Sequence, residues 1–368
     1  MKKQKMKTTP INKQFITFGK PDIGQDEKDA VLSVLDSGWL STGKKVIEFE
    51  YEFSKFIGCK NSVAVSSCTD GLILSLLCSG IGYGHEVITS PLTFVATVNA
   101  IIAVGAKPVF ADVLPNGCID TESIEQMVTH KTRAIIPVHY TGQPCDMNKI
   151  MRLSKNLNLW VIEDCAHMFG SYYVPLGDFA CYSFYPTKNI TAGEGGMVIT
   201  KDEKDADMVR IMSMQGLSAG AHARYGSDKP KTYQVLAPGR KSNMSDIHAA
   251  IGLAQLKRWP EIKEKRDIVW NVYESASYKR TSDHSRHLFT VLSDRRDDLR
   301  EFLYDKGIGT GIHFKPVHLE PGYEFLGYKK GDFPQAERIG AMTLSLPVSS
   351  TMTKDDAKYV LDCYKVFR

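Results

Sequence analysis

Several common functional signals are missing from this chain of 368 residues. Its eight cysteines form no CxxC pair and have no histidine at zinc spacing, so neither a zinc site nor a disulfide framework is indicated. Scattered cysteines of this kind are typical of small buried residues in a reducing compartment. The most apolar window, 93–106, is interrupted by Thr and Asn and is too short to span a bilayer. We therefore expect no metal site and no membrane partner.

The chain also lacks a strong excess of charge of either sign. It has 46 basic and 42 acidic residues, which gives a net charge of +4, and the excess is visible mainly in the opening MKKQKMK. A nucleic-acid-binding face is not indicated by this balance. The opening lacks the apolar core of a signal peptide, so we expect a cytoplasmic protein.

Between residues 26 and 200 the sequence alternates short β-branched runs with segments of helical periodicity. Strands alternating with helices of this length predict parallel βαβ units, and hence an α/β protein with a mostly parallel sheet flanked by helices. The predicted strands are NSVAVSS, HEVITS, KPVFADV, TRAIIPVHY, LWVIEDCA, FACYSF and GMVIT.

After residue 200 the pattern becomes less regular. A polar stretch over 216–239 predicts a long loop, and a helix follows over 245–277, with Pro260 marking a kink or a break. The last hundred residues carry strand RHLFTVL and helices RRDDLREFLYDKG and TKDDAKYVLDCYKVF. We predict a large α/β domain over 1–255 and a smaller α+β domain over 256–368.

The stretch FYPTKNITAGEGGMVIT, residues 184–200, places Lys188 between an aromatic run and a glycine-rich turn. A Walker-type phosphate loop needs its glycines before the lysine, and here they follow it. A solvated surface lysine is the alternative that base rates favour. The small residues of GEGG predict a close approach between this turn and another part of the backbone.

Other polar or aromatic residues also follow predicted strand ends, where ligands bind in open parallel sheets. Each one alone has an ordinary structural explanation, such as an N-cap, a turn former or core packing. Together they supply a helix N-terminus for a phosphate, an aromatic ring for stacking, a carboxylate and an amine. Pyridoxal 5′-phosphate requires that combination. The residues concerned are Thr69, Asp70, Phe94, Asp164, His167, Ser183 and Lys188.

Long stretches of the chain resemble one known family, the DegT/StrS-type sugar aminotransferases. The resemblance is carried by SGWLSTGKKVIEFE, VSSCTDGLILSLLCSGIGYGHEVITSPLTFVATVNAIIAVGAKPVFADV, AIIPVHYTGQPCDM, VIEDCAHMFGS, KNITAGEGGMVIT and KSNMSDIHAAIGLAQL. It implies fold type I of the pyridoxal-phosphate enzymes. Within the family, KNIT, VLAPG and GIGTGIHF resemble the members that form UDP-4-amino-4-deoxy-L-arabinose.

By matching motif, the resemblance implies a role for each site residue. Lys188 would bind the cofactor covalently, Asp164 would pair with its ring nitrogen, His167 would lie near the ring hydroxyl and Phe94 would stack on the ring. The phosphate would be held by Thr69, Asp70 and Ser183. Lys241 of a second subunit would complete the phosphate site, which implies a homodimer with shared active sites.

The implied reaction moves an amino group from a donor, glutamate by resemblance, to the 4-keto carbon of a nucleotide-linked sugar. Basic and imidazole side chains in two loops are expected near the sugar nucleotide, although many loop charges are only solvated. The expected substrate-binding residues are Trp39, Ser41, Thr42, His313, Lys315 and His318.

The chain departs from the family pattern in three places. Cys68 replaces the usual glycine of a Ser-Gly-Thr turn, which would alter the backbone if that position needs a positive φ. The motif GRKSN lacks the aromatic residues that usually flank the lysine. The linker KRTSDHS, residues 279–285, is short. Because this part of the chain is expected to shape the sugar pocket, the short linker affects the predicted choice of sugar more than the predicted chemistry.

Three alternative functions were weighed against this prediction. Sugar dehydratases of the same superfamily carry histidine in place of the cofactor lysine, and Lys188 argues against them. A non-catalytic sugar-nucleotide-binding paralogue would lack Lys188 or Asp164, and both are present. A nicotinamide-dependent dehydrogenase would need GxGxxG after its first strand, and SSCTDG does not supply it.

Overall fold

The computed structural model describes residues 15–220, 224, 232–274 and 283–368. The opening MKKQKMK lies outside these residues, as do the middle of the predicted loop over 216–239 and most of the linker over 279–285. The last three residues of the helix predicted over 245–277 are outside them as well.

A seven-stranded sheet forms the centre of the molecule, with strand order β1-β7-β6-β5-β4-β2-β3. β7 runs antiparallel to its neighbours β1 and β6, and the other paired strands of the sheet are parallel. The predicted mostly parallel sheet is therefore confirmed. The strands are β1 Asn61–Val65, β2 Glu86–Thr89, β3 Lys107–Phe110, β4 Thr132–Ile136, β5 Trp160–Asp164, β6 Phe179–Ser183 and β7 Gly196–Thr200.

Helices cover both faces of this sheet, because its central strands are apolar on both sides. Every residue of β2, β6 and β7 is buried. On one face, α3, α4 and α7 pack their apolar residues against the sheet, and on the other face α2 and α8 do so. The helices are α1 Gln25–Ser37, α2 Lys44–Ile57, α3 Cys68–Cys78, α4 Val95–Ala103, α5 Thr121–Met127, α6 Met147–Leu157, α7 Glu203–Ser213 and α8 Asp246–Glu274.

The C-terminal part has its own apolar core around an antiparallel pair of strands. The sequence did not indicate one strand of this pair, β9, or the helices α7 and α10. The elements are β8 Phe289–Leu292, α9 Arg296–Asp305, α10 Pro334–Met342, β9 Thr343–Leu346 and α11 Lys354–Phe367, with 3-10 helices at Tyr140–Gly142, Val317–Leu319 and Pro321–Leu326.

Helix α8 connects the two parts of the molecule. It packs against α1 and α2 at one end and against α11 at the other, and it continues through Pro260 without a break. Pro260 lies on the exposed side of the helix. The carbonyl group that lacks an N–H donor because of this proline is therefore on the side of the helix that water can reach. The predicted domain division at residue 255 falls inside this helix and stays a prediction.

The N-terminal segment belongs structurally to the C-terminal core. Ile16 is buried there and forms a β-bridge with Ile308. Within the described ranges, no helix has the length and apolar character needed to cross a bilayer.

Candidate active site

A cavity of about 580 Å³ lies where β5 and β6 end, at the edge of the sheet that strand topology predicted. Asp164 is the last residue of β5 and Ser183 the last residue of β6. Most of the residues expected to bind the cofactor line this cavity, and so does one expected to bind substrate. These residues are Thr69, Phe94, Asp164, His167, Ser183, Lys188 and His313.

The carboxylate of Asp164 is held in a fixed orientation beside the cavity. Its Oδ2 accepts a hydrogen bond from Thr97 Oγ1 at 2.7 Å, and its Oδ1 accepts one from the backbone N–H of Ala166 at 3.1 Å. The Cys68 thiol approaches the same Oδ1 at 3.9 Å. A buried carboxylate oriented in this way can accept a hydrogen bond from a cationic N–H group in the cavity.

The neighbouring carboxylate, Glu163, points to the opposite face of the sheet because strand residues alternate. It accepts hydrogen bonds from the Tyr173 hydroxyl at 2.6 Å, from the Leu176 N–H at 2.7 Å and from the Gly177 N–H, and it pairs with His139 at 2.7 Å. These bonds lower the pKa of Glu163 against the effect of its burial, which alone would raise it. A metal cation bound to the Glu163 carboxylate would have to displace several of these hydrogen-bond donors.

Lys188 is the amine of the cavity. It lies in the turn between β6 and β7, where its backbone N–H donates to the carbonyl of Tyr185 at 2.9 Å. Burial lowers the pKa of Lys188 to about 8, and the interactions with Cys68 and with the Asp164 carboxylate only partly oppose this. A minor but useful fraction of the side chain is therefore a neutral, nucleophilic amine near physiological pH, far more than for an exposed lysine.

The N-terminus of α3 faces the cavity beside Thr69, but Asp70 makes bonds that the sequence did not predict. Its N–H donates to Ser67 Oγ at 3.0 Å, and its carboxylate accepts from Ser66, Ser67 and Ser242 at 2.5, 3.0 and 3.1 Å. Asp70 is not a lining residue of the cavity. The Asp70 N–H is therefore already bonded to the helix cap, because Ser67 occupies the N-cap position of α3.

The substitution at Cys68 leaves the backbone of this turn regular. Cys68 is the first residue of α3 and is not among the residues with positive φ, so glycine is not required there. The predicted close approach occurs at Gly196, where an added Cβ would lie 2.5 Å from the Ser67 carbonyl carbon. Gly196 therefore lets the glycine-rich turn pack directly on the turn that begins α3.

Three histidines, of which His167 and His287 are buried, and three phenylalanines form much of the remaining wall. Burial is the main cause that lowers the pKa of His167 and the pKa of His287 well below the usual histidine value. Burial also lowers the pKa of His313 to about 4. All three side chains are therefore neutral at physiological pH. Phe94 is 60% exposed, which leaves its ring available for stacking. The sequence did not indicate His287, because it lies inside the predicted strand RHLFTVL rather than after the end of a predicted strand of the central sheet.

Four predicted site residues lie around the N-terminus of α2 rather than at the cavity. Thr42 donates to the Met244 carbonyl at 2.6 Å and accepts a hydrogen bond from Asn243, while the Trp39 indole donates to the Thr42 carbonyl. Lys241 is exposed, and its ammonium contacts the Asn243 side chain. Trp39, Ser41, Thr42 and Lys241 are not lining residues of the cavity in the single chain.

The structure corrects the prediction for His318. Its side chain is buried outside the cavity, where Nε2 contacts Glu337 at 3.0 Å and the ring packs on Phe333. The apolar neighbours of the HFKPVHLEP segment turn His318 into the core, away from any ligand in the cavity. Lys315 is exposed and pairs with Glu320 at 3.0 Å, also outside the cavity lining.

Comparison with known proteins settles the family. A family model described as the DegT/DnrJ/EryC1/StrS aminotransferase family matches residues 21–365. The chain belongs to this family. It is 42% identical over 375 residues to a spore coat polysaccharide biosynthesis protein of Bacillus subtilis, with 95% of this chain and 96% of the relative covered.

Solved structures of aminotransferases have the same fold. A putative sugar aminotransferase of Streptococcus pneumoniae in its PMP form superposes with a TM-score of 0.89 at 30% identity, covering 95% of this chain and 98% of the other. The Helicobacter pylori aminotransferase PseC, involved in the biosynthesis of pseudoaminic acid, superposes with a TM-score of 0.87 at 26% identity, covering 96% and 99%. Fold type I is therefore confirmed.

The cavity of this family member fits the cofactor of the family, pyridoxal phosphate. A buried amine with a lowered pKa, an oriented carboxylate, an exposed aromatic ring and a helix N-terminus all face the same space. Since these groups come from separate segments of the chain, their convergence supports the sequence-based prediction of the cofactor.

Proposed function

We propose that this family member transfers an amino group from glutamate to the 4-keto carbon of a nucleotide-linked sugar or deoxysugar. The observation that carries the proposal is the convergence of the Lys188 amine and the Asp164 carboxylate on one cavity at the end of β5 and β6. The family supports aminotransfer. The relatives that act on sugars or build a polysaccharide support a sugar acceptor and a role in surface glycan or antibiotic sugar biosynthesis.

Asp164 is proposed to hold a proton on the ring nitrogen of the cofactor. When bound, pyridoxal phosphate supplies an aldehyde that reacts with amines and a ring that withdraws electrons from the adjacent carbon. The hydrogen bonds from Thr97 and Ala166 keep the Asp164 carboxylate beside the cavity, where it would pair with that nitrogen. A carboxylate fixed in advance needs no reorientation during the reaction.

Lys188 is proposed to bind the cofactor covalently and then to act as the base. Because its pKa is about 8, the amine can accept a proton from a substrate carbon and return it at modest cost near neutral pH. The neutral histidines around it add no positive charge to the cavity. We propose that His167 contacts the ring hydroxyl group and that Phe94 stacks on the ring.

The phosphate is proposed to bind between the N-terminus of α3, Thr69 and Ser183. The N-terminus of a helix favours an anion, and the hydroxyl groups supply donors. We propose that Asp70 orients this turn through its serine contacts and that the partner subunit's Lys241 completes the site in a homodimer. Trp39, Ser41, Thr42 and Lys315 are then proposed to contact the sugar nucleotide near the subunit boundary.

The proposed location of the enzyme is the cytoplasm. All eight cysteines are free, and six of them are buried. Thiols in this state are typical of proteins in a reducing compartment.

The decisive test is spectroscopic and chemical. Protein loaded with pyridoxal phosphate should absorb visible light, and borohydride should fix the cofactor on Lys188, as located by peptide mass spectrometry. Glutamate should bleach the chromophore, and a panel of 4-keto UDP, dTDP and GDP sugars should then restore it with a gain of an amino group in the sugar product.

Lys188→Ala should fold normally and show no turnover, whereas Lys149→Ala, an exposed lysine on α6, should behave as wild type. A wild-type protein that binds no chromophore with added pyridoxal phosphate would remove the aminotransferase proposal. A chromophore that glutamate bleaches but no keto sugar restores would instead remove the sugar acceptor.

A further inference from the structure

His287 is held in the cavity wall by bonds to its ring and to its backbone. Its Nδ1 lies 3.0 Å from Asn189 Oδ1, and its ring packs on His167 with 4.7 Å between the ring centroids. The buried guanidinium of Arg266 donates to the carbonyl of His287 at 3.2 Å. Side chains restrained in this way are pre-organised for recognition.

The tautomer of His287 follows from the bonds of Asn189. The Asn189 Nδ2 donates to the carbonyl of Phe169 at 2.8 Å and to that of Ser285 at 3.0 Å, so Nδ2 is the donor end of this amide and Oδ1 is its acceptor end. His287 must therefore donate from Nδ1 to Oδ1. Because the pKa of the neutral ring lies well below its usual value, Nε2 carries a lone pair and no proton.

The lone pair of Nε2 has no donor among the described contacts of His287, and His287 lines the cavity. The charged or titratable groups around the ring are Lys188, His167, His313 and Arg266. Leaving a buried acceptor unpaired is costly when a ligand excludes water. A ligand that donates a hydrogen bond at this point is therefore favoured over one that cannot.

We propose that Nε2 of His287 accepts a hydrogen bond from a hydroxyl group next to the keto carbon of the acceptor sugar. The proposal rests on the proposed function, because it assigns the hydroxyl to a keto sugar that occupies the cavity after the donor has left. His287 is thus a specificity residue for hydroxylated over deoxygenated acceptors. A hydroxyl group fits because the neutral ring offers one acceptor and no additional charge.

The test compares the two half-reactions in the holoenzyme of wild type and His287→Phe. Phenylalanine keeps an aromatic ring against His167 but has no acceptor atom. The donor half-reaction is followed by bleaching with glutamate. The acceptor half-reaction is followed by return of the chromophore with 4-keto sugars carried on UDP, dTDP and GDP. Each nucleotide is used with two sugars, one carrying a hydroxyl group at carbon 3 and its 3-deoxy analogue.

His287→Phe should slow the reaction of the hydroxylated sugar by roughly 10-fold or more. Its rates with the 3-deoxy sugar and with glutamate should stay within about 2-fold of wild type, since neither uses the lost acceptor. His287→Gln, which retains an acceptor oxygen, should restore part of the preference. The exposed His130→Phe provides a matched control that should match wild type in all three rates.

Equal slowing of both sugars, or slowing with glutamate as well, would assign His287 to packing and overturn the proposal. Wild-type protein that reacts with glutamate but distinguishes neither sugar from the other would overturn it as well. Wild-type protein that reacts with neither sugar would remove the proposed sugar acceptor itself, and the hydroxyl contact with it.

Discussion

At the residue scale, neighbouring side chains of the same type have different environments and different chemistry. Glu163 and Asp164 are adjacent, yet Glu163 is enclosed by donors from His139 and Tyr173, whereas Asp164 borders the cavity. Lys188 differs from an ordinary surface lysine in the same sense, because burial lowers its pKa. Burial, hydrogen-bond partners and access to the cavity together decide which titratable residues can take part in catalysis.

The lowered pKa of Lys188 predicts how cofactor capture depends on pH. Below about pH 8 the side chain is mainly an ammonium, and above it mainly a reactive amine, so the capture rate should rise about 10-fold per pH unit below 8 and level off above it. The measurement is the rate at which visible absorbance appears when apo-protein is mixed with pyridoxal phosphate.

The same reaction with N-acetyl-lysine amide, once divided by the known fraction of its neutral amine at each pH, corrects for titration of the cofactor itself. After that correction, a rate that continued to rise to about pH 10 would show that Lys188 titrates as an exposed lysine.

At the element scale, the contact between α8 and α2 depends on one glycine. Gly252 lies inside α8, and a Cβ added there would be 2.7 Å from Cζ of Phe49. Phe49 cannot move easily, because its buried ring packs against Phe53 and Phe184. Gly252 thus lets two helices approach closely on the face of the sheet that carries α2.

Gly252→Ala should destabilise the protein although it raises helix propensity. The substitution gains about 1 kcal/mol of propensity in an open helix, but overpacking against Phe49 should cost about 2–3 kcal/mol and leave a net loss of about 1–2 kcal/mol. Urea unfolding would measure the change. Gly322→Ala, where nothing lies within 4 Å of the added Cβ, should be neutral, and equal stability of both variants would contradict the close packing.

At the scale of the whole molecule, the proposed homodimer makes a prediction that a monomer cannot satisfy. If Lys188 and Lys241 of opposite subunits form one site, a heterodimer of Lys188→Ala and Lys241→Ala subunits contains one site with both lysines native. Mixing and refolding the two inactive variants together should then restore roughly a quarter of wild-type activity, because about half of the dimers are mixed.

Each variant refolded alone provides the control and should remain inactive. Sedimentation should show the mass of a dimer in all samples. Activity that stayed absent in the mixture, with dimers present, would place Lys241 in the site of its own chain. A Lys241→Ala variant that was active when refolded alone would place Lys241 outside any site.

The sequence predicted most local structure and the residues at the strand ends. Helix periodicity and β-branched runs identified the sheet, and the positions of Asp164, Ser183 and Lys188 followed from the rule that ligands bind at the carboxyl edge. β9 and α10 were missed because their patterns are short. The break predicted at Pro260 did not occur, since packing at both ends of α8 keeps the helix continuous.

The sequence alone determined the family resemblance, the α/β class and the lysine and carboxylate of the site. Tertiary structure decided which other side chains join them. It turned His318 into the core and used the amide of Asp70 as a helix cap, while the contact of Ser285 with the carbonyl of His167, 118 residues away, brought His287 to the cavity. Local patterns record helix and strand preference, whereas contacts across such distances depend on the packing of the whole chain.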